Sequence, residues 1–293
     1  MFINFPRISA SKYHQRISNY QFEILIDALI YIGDTKEVVY QLLEECFFQK
    51  SVAEKYISIL LENLHEILAN ENPYDHSEDA LKFLLSLDTQ ITDQIFEIYK
   101  NLLKEEKYLS LYEHDKKFRI LKVLITHSTL KFINFFCEDE YFLNNFFFDS
   151  LSKILVYAKE QDILDWIGDD QQNLKFWIEN SQLLITKDNN EVIWVDYLTT
   201  LLDRSDSPHQ TLEEIIHNNI FRSRSSVVYS GSWSDVMKQK LPYITSLKIR
   251  LKDTYPELLP LINKKEQDWL KQINIQSLRD DEESKRRSER FDW

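Results

Sequence analysis

Apolar residues recur along the chain at spacings of three and four, the period that places side chains on one face of an α-helix. Phe22, Leu25, Ile26, Leu29 and Ile30 define a first helix that should stop close to Gly33, and Asp34 then opens a second with Val38, Val39, Leu42 and Leu43. Glu37, three residues after Asp34, completes a capping-box pattern. Ile57, Leu60, Leu61, Leu64 and Leu68 give the next stripe, which ends in the polar stretch before Pro73.

Further periodic segments run over about 77–87, 89–107, 113–128, 141–159 and 173–185. After a polar turn at 186–190, the spacing of Ile193, Trp194, Tyr197, Leu198 and Leu201 predicts another helix over 191–202. Pro208, followed by Glu213 and Glu214, opens a helix that should end near Phe221. Ser234 offers a cap for the following helix, and Pro242 implies a break near Leu241. Tyr255-Pro256 marks another break, before Leu258, Leu259, Leu261, Ile262, Trp269, Leu270 and Ile273.

Composition agrees with this pattern. Three glycines in 293 residues leave little provision for the positive φ of tight hairpins, so a sheet-rich fold is not expected. The expected class is all-α: an irregular helical bundle, or an α-solenoid-like array of short helices resembling degenerate HEAT repeats in element length. No tetratricopeptide or ankyrin consensus is present.

Charge divides the chain. Residues 201–293 hold 16 Lys/Arg against 15 Asp/Glu, which leaves 19 against 33 in residues 1–200 and a net charge there of −14. The expected organisation is an acidic helical array over 1–204, a helical C-terminal unit over 205–278, and a charged tail over 279–293 that reads either as a solvated helix or as disordered. An acidic surface aids solubility and also steers basic partners.

Catalytic motifs are absent by spacing. The glycines, Gly33, Gly168 and Gly231, stand too far apart for a P-loop or a dinucleotide fingerprint. Ser230-Gly231-Ser232-Trp233-Ser234 lacks the flanking glycines of a nucleophile elbow. Two Glu-x-x-His pairs, Glu62 with His65 and Glu214 with His217, have the spacing used by di-iron bundles, but Glu62 lies off its helix's apolar stripe. His76 and its acidic neighbours match an ordinary helix start, and Cys46 and Cys137 sit among phenylalanines as buried free thiols do. No cofactor and no metal is expected.

Neither the start of the chain nor the apolar stretch 132–148 has the unbroken apolar run of a leader or a membrane span, so a cytoplasmic location is expected. The most informative segment is 222–252, where seven basic residues accompany one acid, Asp235. The candidate partner-binding residues are Arg222, Arg224, Tyr229, Trp233, Lys238, Lys240, Arg250 and Lys252. Cations interleaved with aromatics fit an acidic protein surface, docking on the chain's own acidic helices, or nucleic acid through phosphate contact and base stacking. The expected function is therefore a non-enzymatic helical module that binds another protein as an adaptor, inhibitor or neutralising partner. A nucleic-acid-associated subunit is the alternative. The sequence leaves the oligomeric state open.

Overall fold

A computed structural model describes residues 19–33, 39, 42, 56–69, 77–87, 89–105, 115–139, 142, 148–186, 192–221 and 232–291. Helix makes up 81% of the structure, which makes the fold all-α. The chain divides into two compact units, Met1–Leu102 and Leu103–Trp293.

In the first unit, α1 (Asn19–Ile32) turns its Ile26 into the core and ends at Gly33, whose φ of 76° lies in the left-handed region glycine tolerates. The stripe from Ile57 to Leu68 forms two short helices, α2 (Ile57–Glu62) and α3 (Leu64–Ala69), rather than one. Asn63 makes the break: both its backbone amide and its side-chain Nδ2 donate to the Ile59 carbonyl, at 3.2 and 2.8 Å. Tyr56 is buried and its hydroxyl donates to Asp27 Oδ1 at 2.9 Å, fastening the start of α2 to α1. Next come α4 (Ser77–Leu85) and α5 (Thr89–Lys104), whose Ile95, Phe96 and Tyr99 follow the helical period and are buried. The capping pattern at Asp34 and Glu37, Asp75 and His76 of the acidic cluster, and Cys46 lie outside the described residues, while Ser77, Glu78 and Asp79 of that cluster lie in α4.

The second unit is built on α6 (Lys116–His127), which buries Phe118, Ile120, Leu121, Val123, Leu124 and Ile125. Burial nearly all round marks it as a central helix. Thr129 opens α7 (Thr129–Phe132), which widens into π turns over Ile133–Cys137. There Phe132, Phe136 and Phe142 form a chain of ring contacts at 4.8 and 5.1 Å, and Cys137 is a buried free thiol. Burial, followed by the neighbouring Glu138 charge, raises the thiol pKa far above its ordinary value, so it behaves as a core side chain.

Short helices follow in series: α8 (Phe148–Leu155), α9 (Glu160–Ile167) and α10 (Gln171–Asn180). Gly168, with φ 48°, terminates α9, and Asp170 starts α10 by accepting the Gln172 and Asn173 amides at 2.7 and 3.3 Å. Helix α9 falls between two of the predicted segments and was not anticipated.

The helix expected over 191–202 is corrected. Leu184–Thr186 (β1) and Val192–Trp194 (β2) pair antiparallel, Leu184 opposite Trp194 and Thr186 opposite Val192, and only Leu198–Asp203 is helical (α11). Ile193, Trp194, Tyr197, Leu198 and Leu201 keep a spacing that fits a helix, but β-branched residues flanking the polar Asp188-Asn189-Asn190 favour a hairpin. The same correction shortens the segment predicted over 173–185 to end at Asn180.

The rest of the unit comprises α12 (Pro208–Ile216) running into π turns at His217–Phe221, α13 (Trp233–Lys238), α14 (Leu241–Leu251), a single 3-10 turn at Pro256–Leu258, and the long α15 (Leu259–Phe291). The break expected near Leu241 is a turn at 239–240, which places Pro242 in the first turn of a new helix, where its missing N–H costs nothing. The charged tail is helical as far as Phe291.

Candidate functional site

Two fixed points hold the candidate segment in place. The first is Trp194, which is buried and whose indole Nε1 donates to the Tyr243 carbonyl at 3.1 Å and to Ser246 Oγ at 3.2 Å, so α14 docks on β2. The second is α15, on which α13 is held at both ends. Asp280 Oδ2 accepts the Ser232 hydroxyl at 2.6 Å and the Ser234 amide at 2.9 Å, so a carboxylate from a distant helix serves the start of α13. These bonds, the Ser232 hydroxyl first, hold the Asp280 carboxyl well below the usual carboxylate range. At the other end Trp269 Nε1 donates to the Met237 carbonyl at 3.1 Å, and the same indole stacks on Phe221 at 4.6 Å.

With Ser234 and Met237 turned inward, Trp233 is left 42% exposed and Lys238 points to solvent. Ser232, not Ser234, occupies the capping position. On α14 the buried face is Ile244, Leu247 and Leu251, and the outward face carries Pro242, Thr245 and Ile249, with Lys252 continuing it just past the helix end. Ile249 is 70% exposed.

The candidate cations sort into two kinds. Arg250 is structural: it donates to the Trp194 and Asp196 carbonyls at 3.2 and 2.7 Å, with the Asp196 carboxylate 3.8 Å away. Lys248, from the same basic segment, is bonded to Glu266. Lys240 is half-buried, and loss of solvent lowers its pKa. Lys238 and Lys252 are exposed, although Lys238 has an exposed ion pair with Asp235 at 2.9 Å. Trp233, Lys238 and Lys240 therefore belong to one short helix and its exit turn, and Arg250 and Lys252 to the end of the next. Arg222, Arg224 and Tyr229 lie outside the described residues.

The Glu214–His217 pair lines a separate cleft of about 600 Å³, with Lys175, Glu179, Glu213 and Lys265. Its acids are already engaged: Lys265 bonds Glu213, Lys175 lies 3.8 Å from Glu179, and Gln210 donates to Glu214 at 3.2 Å. Bonding to Lys265 holds the Glu213 carboxyl below its ordinary pKa. Among the described residues no group of three or more His, Cys, Asp or Glu side chains could hold a metal ion. Glu62 and His65 of the other pair are exposed on α2 and α3.

Ile249 is the residue that periodicity alone passed over. It interrupts the polar outward face of α14, a departure visible once the buried positions 244, 247 and 251 are known. No described helix is long and apolar enough to cross a membrane. The class that the fold defines is an all-α protein, and the described part of the candidate segment exposes Trp233, Ile249, Lys238 and Lys252 together with Asp235 and Asp253. No protein-family model, no curated protein and no solved structure matches the chain.

Proposed function

We propose that the protein is a non-enzymatic interaction module that binds an acidic protein partner through the outward face of α13 and α14, working in the cytoplasm as an adaptor, inhibitor or neutralising partner. What carries this reading is the exposure of Trp233 and Ile249, 42% and 70%, on the two helices whose segment also exposes the cations Lys238 and Lys252. Large apolar side chains rimmed by charge are what a desolvated contact needs: the ring and the aliphatic chain supply buried area, and the cations select the partner's sign.

The support beneath the surface favours the same reading. Trp194, Trp269, Asp280 and Arg250 fix both helices through bonds to backbone atoms, so the face is preorganised and loses little conformational freedom on binding. Helix contacts between near neighbours in the chain, α9 on α10, α10 on α12 and α11 on α12, support an irregular array of the solenoid kind as the scaffold.

The test is capture from native extract by the intact chain, compared with a chain carrying Trp233→Ala and Ile249→Asp. Both side chains are exposed, so helix content should be unchanged. A protein partner retained by the first and lost by the second is the expected result; equal retention would move the site elsewhere. Nucleic acid recovered at low salt and lost steeply as salt rises would favour a nucleic-acid role for the same cations, as Lys238 and Lys252 can each meet a phosphate.

A further inference from the structure

Helix α15 is 33 residues long, about 50 Å at 1.5 Å per residue, and has two faces. One face buries Ile262, Trp269 and Ile273 and ends with Asp280. The opposite face carries Asp268, Lys271, Ile275, Leu278, Glu282 and Lys285, positions separated alternately by three and four residues. That alternation keeps the six side chains on one stripe, as along the seam of a helix pair, with apolar residues at its centre only, Ile275 and Leu278. All six side chains are substantially accessible: Ile275 is 53% and Leu278 66% exposed, the side chains of Asp268, Lys271 and Glu282 are 49%, 73% and 70% exposed, and Lys285 is exposed.

We infer that this seam is an interface for a second copy of the same chain, lying antiparallel across a two-fold axis between Gln276 and Ser277. In that register Ile275 meets the second copy's Leu278, Lys271 meets its Glu282, and Asp268 meets its Lys285. Each contact occurs twice, because a two-fold interface uses the same patch on both sides. The centre is apolar and each flanking pair is opposite in charge.

Alternative arrangements of the same seam are penalised. A parallel pair sets Lys271 on Lys271 and Glu282 on Glu282. Sliding the antiparallel pair by one heptad one way sets Leu278 against Glu282 and Ile275 against Lys285; sliding it the other way sets Ile275 against Lys271 and Leu278 against Asp268. Only one register satisfies every position, which is how charged flanks select partner and orientation in helix pairs. Within one chain Lys271 lies 3.5 Å from Asp268 and Arg286 lies 3.8 Å from Glu282, exposed contacts of little strength that give way to the pairs between copies. They do not account for Ile275 and Leu278. The apolar centre is small, so the dimer is a weak one that dissociates on dilution. This surface is distinct from the face of α13 and α14, and the inference stands if that face proves inert.

Sedimentation of the full-length chain across a concentration series tests it. The wild type should pass from monomer to dimer, and Ile275→Asp with Leu278→Asp should remain monomeric with unchanged helix content. Lys271→Glu alone and Glu282→Lys alone should each be monomeric, since each places like charges together at both symmetric contacts. An equimolar mixture of these two variants should dimerise again. The new carboxylate at position 271 of one chain then faces the new ammonium at position 282 of the other, and the unchanged Glu282 of the first faces the unchanged Lys271 of the second. A wild type that stays monomeric throughout, single charge variants that dimerise like the wild type, or a mixture that does not recover would each overturn the proposal.

Discussion

Trp194 ties β2 to two other elements of the second unit: its backbone pairs with Leu184 on β1, while its carbonyl accepts from Arg250 and its indole reaches Tyr243 and Ser246, all three on α14. Trp194→Ala should cost about 3–5 kcal/mol through the cavity left behind. Trp194→Phe, which keeps the ring volume in part and loses the indole donor, should cost less, with urea unfolding as the measurement. Tyr197 makes a different prediction. Burial pushes its phenol up to about 12, whereas the unfolded phenol loses its proton near pH 10. The folded state therefore holds the proton more tightly, and stability present below pH 10 is lost as pH rises towards 12, by about 2–3 kcal/mol. Burial first, and then the bond to Asp203, raises the Tyr255 pKa and adds to the effect in the same direction. Thermal melts at pH 8, 9.5 and 11 should show a falling midpoint only in the last interval, and a constant midpoint would contradict the burial argument.

At the scale of elements, α13 has only six residues, too few to persist alone, and it owes its position to α15. Asp280→Asn keeps the shape of the side chain but removes the charge that accepts Ser232 and Ser234, so the first turn of α13 should exchange its amide hydrogens faster while α14 stays protected. The depressed Asp280 pKa gives the same result through acid: the interaction is complete above the ordinary aspartate pKa near 4 and weakens as pH falls below it. Equal exchange in wild type and variant would show that Trp269 alone holds α13.

The helices legible in the sequence were those whose apolar stripe is continuous, such as α5 and α12, because burial on one face fixes both the period and the pattern. Helix α9 escaped because its eight residues contribute only Ile163, Leu164 and Ile167 to the core. The hairpin escaped for a different reason: three-residue strands supply too few alternating positions to compete with a helical spacing that happens to continue into α11. Asp280 could not have been paired with Ser232 at all, since nothing local ties residues 48 apart in sequence. The candidate cations were visible as a cluster, but the commitment of Arg250 to the Trp194 and Asp196 carbonyls depends on the tertiary placement of β2 against α14.

For the whole molecule, the charge asymmetry takes on a concrete form. Several C-terminal cations are engaged by acids of their own unit, Lys248 with Glu266, Lys265 with Glu213 and Arg250 with Asp196, while Lys252 is exposed and Lys238 is exposed with its solvated pair to Asp235. Those cations, with Trp233 and Ile249, are where a partner of opposite sign should bind, and added salt should slow association with little change in dissociation. Hydrogen exchange on the captured complex, set against the free chain, addresses that claim most directly. New protection should concentrate in residues 233–252; protection confined to residues 19–104, or none within α13 and α14, would place the contact elsewhere and overturn the proposed function.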